Sequence, residues 1–264
     1  MSAVFAIDKG KVRQSFAAAS LSYDGVANLQ RAVGKELLGG IDAGSLTGTV
    51  LDLGCGTGFL TGELLAQSAG GQMLALDIAL PMLHRARTKL FGLANASFIC
   101  ADAERLPLQA NSVDNVFSNL ALQWCRNLPV VFRDMRRILK PGGRLQFSTF
   151  GPKTLQELKK AWAEVDHYKH VNEFYGEDAL WPFLEQAGFT EIQINSKIYR
   201  TPYCSVMALM RELKQIGAHN VAEGRNKRLT TKSQMQAMMA AYEMQDLNSW
   251  ISATYEVITV SAKA

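Results

Sequence analysis

The sequence predicts an α/β fold, a doubly wound and mostly parallel sheet with helices on both faces. Three observations carry this. Between residues 49 and 150, short apolar runs alternate with amphipathic stretches, the pattern of parallel βαβ units. The first apolar run ends in Gly54-Cys55-Gly56-Thr57-Gly58, a turn that opens a helix. The chain has 264 residues, 48% hydrophobic and 20% charged, which suffices for one large core and argues against global disorder.

Residues 8–39 read as helical. Asp8 can cap the first helix, and Val12, Phe16 and Ala19 share a face. After a break over 21–27, a second helix carries Val26, Leu29, Val33 and Leu37 and stops at Gly39-Gly40. Strands are expected at 49–53, 73–77, 96–100, 113–118 and 144–150, with helices over 80–90 and 128–139 and a turn at Pro141-Gly142-Gly143. Helices then follow at 155–165 and 179–187, and a β-like run at 191–199. A last β-like run at 255–261 is separated from it by about fifty residues of helical pattern, including 206–216 and 233–242. This insertion is expected to join the last two strands and cover one edge of the sheet.

No stretch approaches the roughly 20 continuous apolar residues of a membrane span. Lys9, Lys11 and Arg13 are not followed by the apolar run of a secretory signal, so a soluble, cytoplasmic chain is expected. Cys55, Cys100, Cys125 and Cys204 form no C-x-x-C pair and fit no zinc spacing. His167 and His170 have no carboxylate pattern that makes a metal site, and no metal is expected. Net charge is +4, but residues 197–232 hold eight basic and two acidic side chains, so this segment alone carries +6. It is either a solvated helix face or a docking surface for something anionic.

The glycine turn alone could serve a dinucleotide or be a plain tight turn. Three aspartates narrow the choice. Asp77, 19 residues after Gly58 and at a strand end, can accept both hydroxyls of a ribose. Asp102, after the third strand, can accept from an adenine amino group while the Ala103 N–H meets a ring nitrogen. Asp52 places a negative charge two residues before the turn, which favours a cationic ligand. No basic residue is near in sequence, and the spacing is not the G-x-G-x-x-G of a pyrophosphate cradle.

Asp52 to Gly58, Asp77, Asp102 and Leu139-Lys140-Pro141-Gly142-Gly143 together resemble the motif set of class I S-adenosylmethionine-dependent methyltransferases. The resemblance implies a Rossmann-like sheet of seven strands, the last antiparallel. It implies that Gly54 and Gly56 cradle the methionine part and Asp77 holds the ribose. Ile78 and Met82 would flank the adenine, Asp102 and Ala103 read its edge, and Asn119 sits by the methionine. Asp52, Cys55 and Gly58 complete the expected cofactor set.

The acceptor is constrained mainly by what is missing. After the fourth strand stands Ser118-Asn119-Leu120-Ala121-Leu122-Gln123-Trp124, not the Asn/Asp-Pro-Pro-Tyr/Phe run of an amino-methylating DNA enzyme, and no Pro-Cys loop is present. A carboxylate acceptor needs no general base, because it is ionised at pH 7. The blocks Tyr23–Gln30, Ser118–Cys125, Ala161-Trp162, Val165-Asp166, Met210–Ala218, Glu223–Arg225 and Leu229-Thr230 resemble the malonyl-acyl carrier protein O-methyltransferases of biotin synthesis, nearly end to end. The resemblance implies an acyl carrier protein carrying a malonyl group as partner, with S-adenosylmethionine as methyl donor. It implies one methyltransferase domain: a helical lid (1–44), a cofactor-binding core (45–150), a substrate-side extension with strand six (151–200), a basic helical cap (201–250) and the last strand (251–264).

Candidate substrate-positioning residues are Tyr23, Gln30, Trp124, His170, Arg200, Arg211 and Lys214. Tyr23 and Gln30 can close as a lid or simply pack. Trp124 can line an acceptor channel or be core. His170 can donate to a substrate carbonyl or be structural. Arg211 and Lys214, three apart, share a helix face and can orient a carboxylate or stay solvated. Arg225, Lys227 and Arg228 are candidates for carrier-protein docking. The alternatives are a carboxyl methyltransferase acting on a free di- or tricarboxylic acid, an RNA methyltransferase using the basic segment, and a non-catalytic partner protein.

Overall fold

A computed structural model describes residues 7–39, 46–93, 95–218, 220–221, 230–245 and 250–264. The N-terminal part holds α1 (Lys9–Ala19), α2 (Tyr23–Val26) and α3 (Asn28–Leu38). Asp8 caps α1, accepting from the Lys11 N–H at 3.1 Å. The expected break at 21–27 contains the one-turn helix α2.

The alternating core follows as β1 (Thr49–Leu53), α4 (Phe59–Gln67), β2 (Gln72–Asp77), α5 (Leu80–Lys89), β3 (Ala96–Cys100), β4 (Val113–Asn119), α6 (Leu128–Ile138) and β5 (Leu139–Phe150). The remainder is α7 (Gln156–Ala163), α8 (Glu177–Gln186), β6 (Thr190–Tyr203), α9 (Val206–Gln215), α10 (Lys232–Glu243) and β7 (Ile251–Lys263). The sheet has seven strands in the order β3-β2-β1-β4-β5-β7-β6. β1 to β5 pair in parallel, and β7 is antiparallel to both its neighbours.

Local chemistry explains most boundaries. In α6, Leu128, Val131, Phe132, Met135 and Ile138 are all buried, a 3.6-residue stripe laid on the sheet. Asn127 caps it and Pro129 occupies the first turn. A capping box, Thr231 with Gln234, starts α10. The Pro-Gly-Gly turn expected before β5 lies inside that strand instead. Its partner comes from the chain end: the Gly142 N–H donates to the Ala264 carbonyl at 2.9 Å and the Ala264 N–H to Gly143 at 2.8 Å.

The larger departure is the length of the last two strands. β5 ends at Phe150, opposite Val257. β6 and β7 continue as a pair from Ile198↔Glu256 to Tyr203↔Ile251. Six residue pairs at about 3.3 Å each carry this ribbon roughly 20 Å past the end of β5. The helical insertion hangs from its tip. There α7, α9 and α10 form a second core with the ribbon, using Leu158, Trp162, Leu209, Leu213, Met238, Tyr242, Tyr203 and Tyr255. The insertion therefore sits over the carboxyl ends of the strands. It does not cover the β6 edge, where Glu191, Gln193, Asn195 and Lys197 are exposed. Among the described residues no helix is long and apolar enough to cross a membrane.

Candidate active site

The carboxyl ends of β1 to β4 meet around the glycine turn, where a doubly wound sheet offers its crevice. The Leu76 carbonyl accepts from the N–H groups of Gly54 and Cys55 at 2.7 and 2.9 Å, tying the turn to β2. Gly54 has φ +76°, and a Cβ there would stand 2.3 Å from the Ala121 Cβ. Gly56 has φ +53° and open space where its Cβ would be, so its bare backbone faces the crevice. Gly58 lines no part of the crevice. It packs on α5, and its Cβ would lie 2.9 Å from the Ala86 Cβ.

Asp77 is nearly buried at the end of β2. One oxygen accepts from the Gly56 N–H at 2.9 Å and the other from the Ala79 N–H at 2.8 Å. Burial raises its carboxyl, and these N–H groups only partly oppose that. Asp52 is 1% exposed. Its Oδ2 accepts from the Thr61 hydroxyl at 2.6 Å, and its Oδ1 has no partner among the described residues. Burial pushes this carboxyl up to about 7, against the Thr61 hydrogen bond and with the charge of Asp77 adding to the rise.

Two connected cavities fill the crevice. The larger is lined by Ile78, Met82, Asp102, Ala103 and Asp77, with Phe16 and Lys9 of α1 as its outer wall. The smaller holds Asp52, the Cys55 and Thr57 positions, and Arg31 of α3. Tyr23, Gly54, Gly56 and Asn119 line both. The Cys55 side chain itself turns into the core beside Ala75 and Leu83, which leaves its backbone as its contribution. Asn119 is fixed between layers: its Nδ2 donates to the Gln30 carbonyl at 2.8 Å, and its Oδ1 accepts from the Ser148 hydroxyl at 2.8 Å.

A third and larger cavity, about 1060 Å³, opens beneath the insertion. Leu29, Phe150, Leu158, Met207, Met210 and Met235 give it an apolar lining. His170, Arg211 and Lys214 also line it. Trp124 belongs to this chamber and to the adenine-side cavity, while Gln30 belongs to it and to the smaller cavity. These two residues mark the passage between crevice and chamber. Tyr23 faces the crevice, not the chamber. Arg200 is not brought to the site; it is exposed on β6 opposite Thr254. Arg225, Lys227 and Arg228 lie outside the described residues.

Residues that sequence reasoning passed over complete the picture. The Lys9 ammonium reaches Asp102 at 2.7 Å and Glu104 at 3.0 Å, which straps α1 across the crevice. Arg31 brings a cation to a turn that has none nearby in sequence. Its guanidinium donates to the Asp24 carbonyl at 2.7 Å. Leu120 and Leu155 adopt positive φ, +47° and +54°, beside the crevice and in the chamber wall respectively. Backbone strain of this kind, about 1–3 kcal/mol each, gathers at functional sites. Only the Val12/Phe16 stripe hinted at any of this, and it reads as ordinary core.

The arrangement fits S-adenosylmethionine. A carboxylate at a strand end suits its ribose, Asp102 and Ala103 suit its adenine edge, and the orphaned Asp52 oxygen suits an ammonium group. The open face at Gly56 leaves room for its backbone approach. This sheet, with its antiparallel β7 and this crevice, defines a class I methyltransferase.

A model of the methyltransferase domain matches residues 51–147. The malonyl-[acyl-carrier protein] O-methyltransferase of Methylococcus capsulatus is 43% identical over 254 residues, covering 96% of this chain and 92% of that one. The biotin biosynthesis bifunctional protein BioHC of Cellvibrio japonicus is also 43% identical, and this chain spans 49% of its length. A crystal structure of a putative methyltransferase from Bacillus halodurans shares the fold with TM-score 0.62 at 17% identity, covering 88% of this chain and 98% of that one. The chain belongs to the malonyl-[acyl-carrier protein] O-methyltransferase family.

Proposed function

We propose that this enzyme transfers a methyl group from S-adenosylmethionine to the free carboxylate of a malonyl thioester on acyl carrier protein, giving the methyl ester that primes pimeloyl synthesis for biotin. The observation that carries the reading is the pairing of a cofactor crevice with a large, mostly apolar chamber, joined at Trp124 and Gln30. A free diacid needs no such chamber, whereas an acyl group on a phosphopantetheine arm does. The family membership supports the same substrate.

When bound, S-adenosylmethionine supplies a methyl group on a positive sulfur: a carboxylate oxygen forms the O–CH3 bond, the S–CH3 bond breaks, its electron pair stays on sulfur and no proton moves. The protein's contribution is alignment and dryness. Asp77, Asp102 and Ala103 hold the nucleoside. Asp52 and Arg31 hold the ammonium and carboxylate of the methionine end, with Asn119 between. Trp124 and Gln30 border the acceptor, and no general base is required. Alignment of this kind can supply up to about 7–11 kcal/mol of the barrier.

The N-terminal segment (1–44) serves as a lid in this reading. Among its contacts are the Lys9 strap, the Thr57 hydroxyl on Asp24 at 2.6 Å, the Lys89–Asp24 pair at 2.5 Å, the Ser22 hydroxyl on the Gln215 carbonyl of α9 at 2.8 Å, and Glu36 with Lys197 of β6 at 2.7 Å. The cap (201–250), including Arg225, Lys227 and Arg228, steers the acidic carrier protein in the cytoplasm. Intact mass spectrometry of malonyl-acyl carrier protein, with malonyl-coenzyme A and free malonate in parallel, tests the whole. A gain of one methylene on the carrier-protein substrate supports it. Methylation of free malonate alone overturns it.

A further inference from the structure

The wall of the chamber contains a histidine built into a fixed donor. His170 Nε2 lies 2.8 Å from Asp166 Oδ1, and the two side chains are only 13% and 12% exposed. The imidazole lies flat on the Trp162 indole, with centroids 3.7 Å apart and planes 4° from parallel. Asp166 Oδ1 also accepts from the Tyr168 N–H at 2.9 Å, which fixes the carboxylate, and its buried Oδ2 has no partner among the described residues. Burial raises this carboxyl, but the His170 and Tyr168 hydrogen bonds outweigh it and hold it below the usual carboxylate range.

Position matters as much as pairing. His170 and Trp162 line both the chamber and a hollow on its outer side, whereas Asp166 lines the hollow only. The carboxylate thus holds the outer edge of the ring. The ring also borders the chamber, and no hydrogen bond engages Nδ1 among the described residues. In the protonated ring both nitrogens donate, Nε2 to Asp166 and Nδ1 to a further acceptor. A carboxylate held at Nδ1 would need that form. Arg211 and Lys214 line the same chamber but are exposed on α9, where water and salt weaken their hold on an anion.

We propose that His170, oriented by Asp166 and Trp162, grips the malonyl carboxylate through one oxygen and leaves the other for methylation, while Arg211 and Lys214 meet the phosphate of the carrier's arm. This rests on the proposed substrate and names the residue that recognises its charged end. The reaction itself loosens the grip, because the ester has no negative charge for the imidazolium to hold.

The test compares malonyl- with acetyl-acyl carrier protein, which differ only in that carboxylate. Dissociation constants are measured by calorimetry with S-adenosylhomocysteine present, so nothing turns over. A charge-assisted hydrogen bond is worth roughly ten- to a hundredfold in binding, so the wild type should prefer the malonyl form by about that factor. His170→Phe keeps the stack on Trp162 and removes the donor. It should bring the preference close to one and leave acetyl affinity unchanged. Asp166→Asn should lower the preference severalfold, and Arg211→Gln/Lys214→Gln should weaken both forms alike. An unchanged preference in His170→Phe, or equal weakening of both forms in His170→Phe and Asp166→Asn, overturns the proposal and makes the histidine structural. If the wild type shows no malonyl preference and no methylation of malonyl-acyl carrier protein, the substrate reading fails first, whatever the variants do.

Discussion

Asp52→Asn should stabilise the cofactor-free protein, and the gain should grow with pH. The Asp52 carboxyl is pushed from its ordinary value near 3.8 up to about 7 in the folded chain. Between those values the folded state holds a proton that the unfolded state has lost, so stability falls as pH rises. At 1.36 kcal/mol per unit, the full cost reached above pH 7 is about 4 kcal/mol, of which about 2 kcal/mol has already accrued at pH 5.5. The substituted amide still offers the Thr61 hydroxyl an acceptor and never ionises. The wild-type-to-variant gap should therefore widen by about 2 kcal/mol from pH 5.5 to pH 8. For a chain of this length that is about 4 °C in Tm. Differential scanning calorimetry of both proteins at the two pH values reads it directly. Equal gaps at both pH values, or a variant less stable at pH 8, would refute the reasoning. The same variant should bind S-adenosylhomocysteine at least tenfold more weakly at pH 8, since the ligand's ammonium loses its carboxylate.

In the wild type, S-adenosylhomocysteine affinity should itself tighten severalfold from pH 6 to pH 8 as Asp52 ionises, and a flat titration by fluorescence or calorimetry would contradict that role. Gly54→Ala places a methyl 2.3 Å from the Ala121 Cβ at a positive φ, so chemical denaturation should show a loss of about 2–4 kcal/mol. Gly56→Ala meets no atom, and should cost about 1–2 kcal/mol of stability from its φ alone while weakening cofactor binding far more. Asp24→Ala removes the acceptor of Thr57 and Lys89, and steady-state kinetics should show a severalfold higher KM for S-adenosylmethionine with Tm changed by no more than a few degrees. Reversing charge at Arg225 and Lys227 should lower kcat/KM for the carrier-protein substrate and flatten its dependence on salt, and leave cofactor affinity alone.

The sequence was most legible where local pattern and tertiary fate agree. The strands β1 and β3 begin and end where their apolar runs do, because glycine, aspartate or a helix start bounds each one. Asp52, Asp77 and Asp102, which line the crevice, could be picked out for the same reason, since each stands at or near a strand end. Legibility failed where the partner is remote in sequence. Pro141-Gly142-Gly143 has turn chemistry, yet Ala264, more than a hundred positions later, pairs with it. The ribbon half of β6 alternates in burial but not in hydropathy, because Ile198 and Pro202 stand on its exposed face with Arg200. Arg200 was a reasonable candidate by charge alone, but charge does not say whether a strand's far end overhangs the site. Lys9 and Arg31 enter the crevice only because α1 and α3 fold back over it.

The order in which the chain is made adds a further meaning to the long β6–β7 ribbon. β7 lies between β5 and β6, yet it follows both in the chain. Until it arrives, β6 has no strand to pair with, and the second core has neither Tyr255 nor Ile251 to close on. The residues that line the cofactor crevice all precede β5 in the chain, so its lining is made early in synthesis. That of the acceptor chamber is not. A growing or truncated chain of this kind would be able to hold cofactor but not substrate, and its exposed β6 would be the surface most in need of a chaperone.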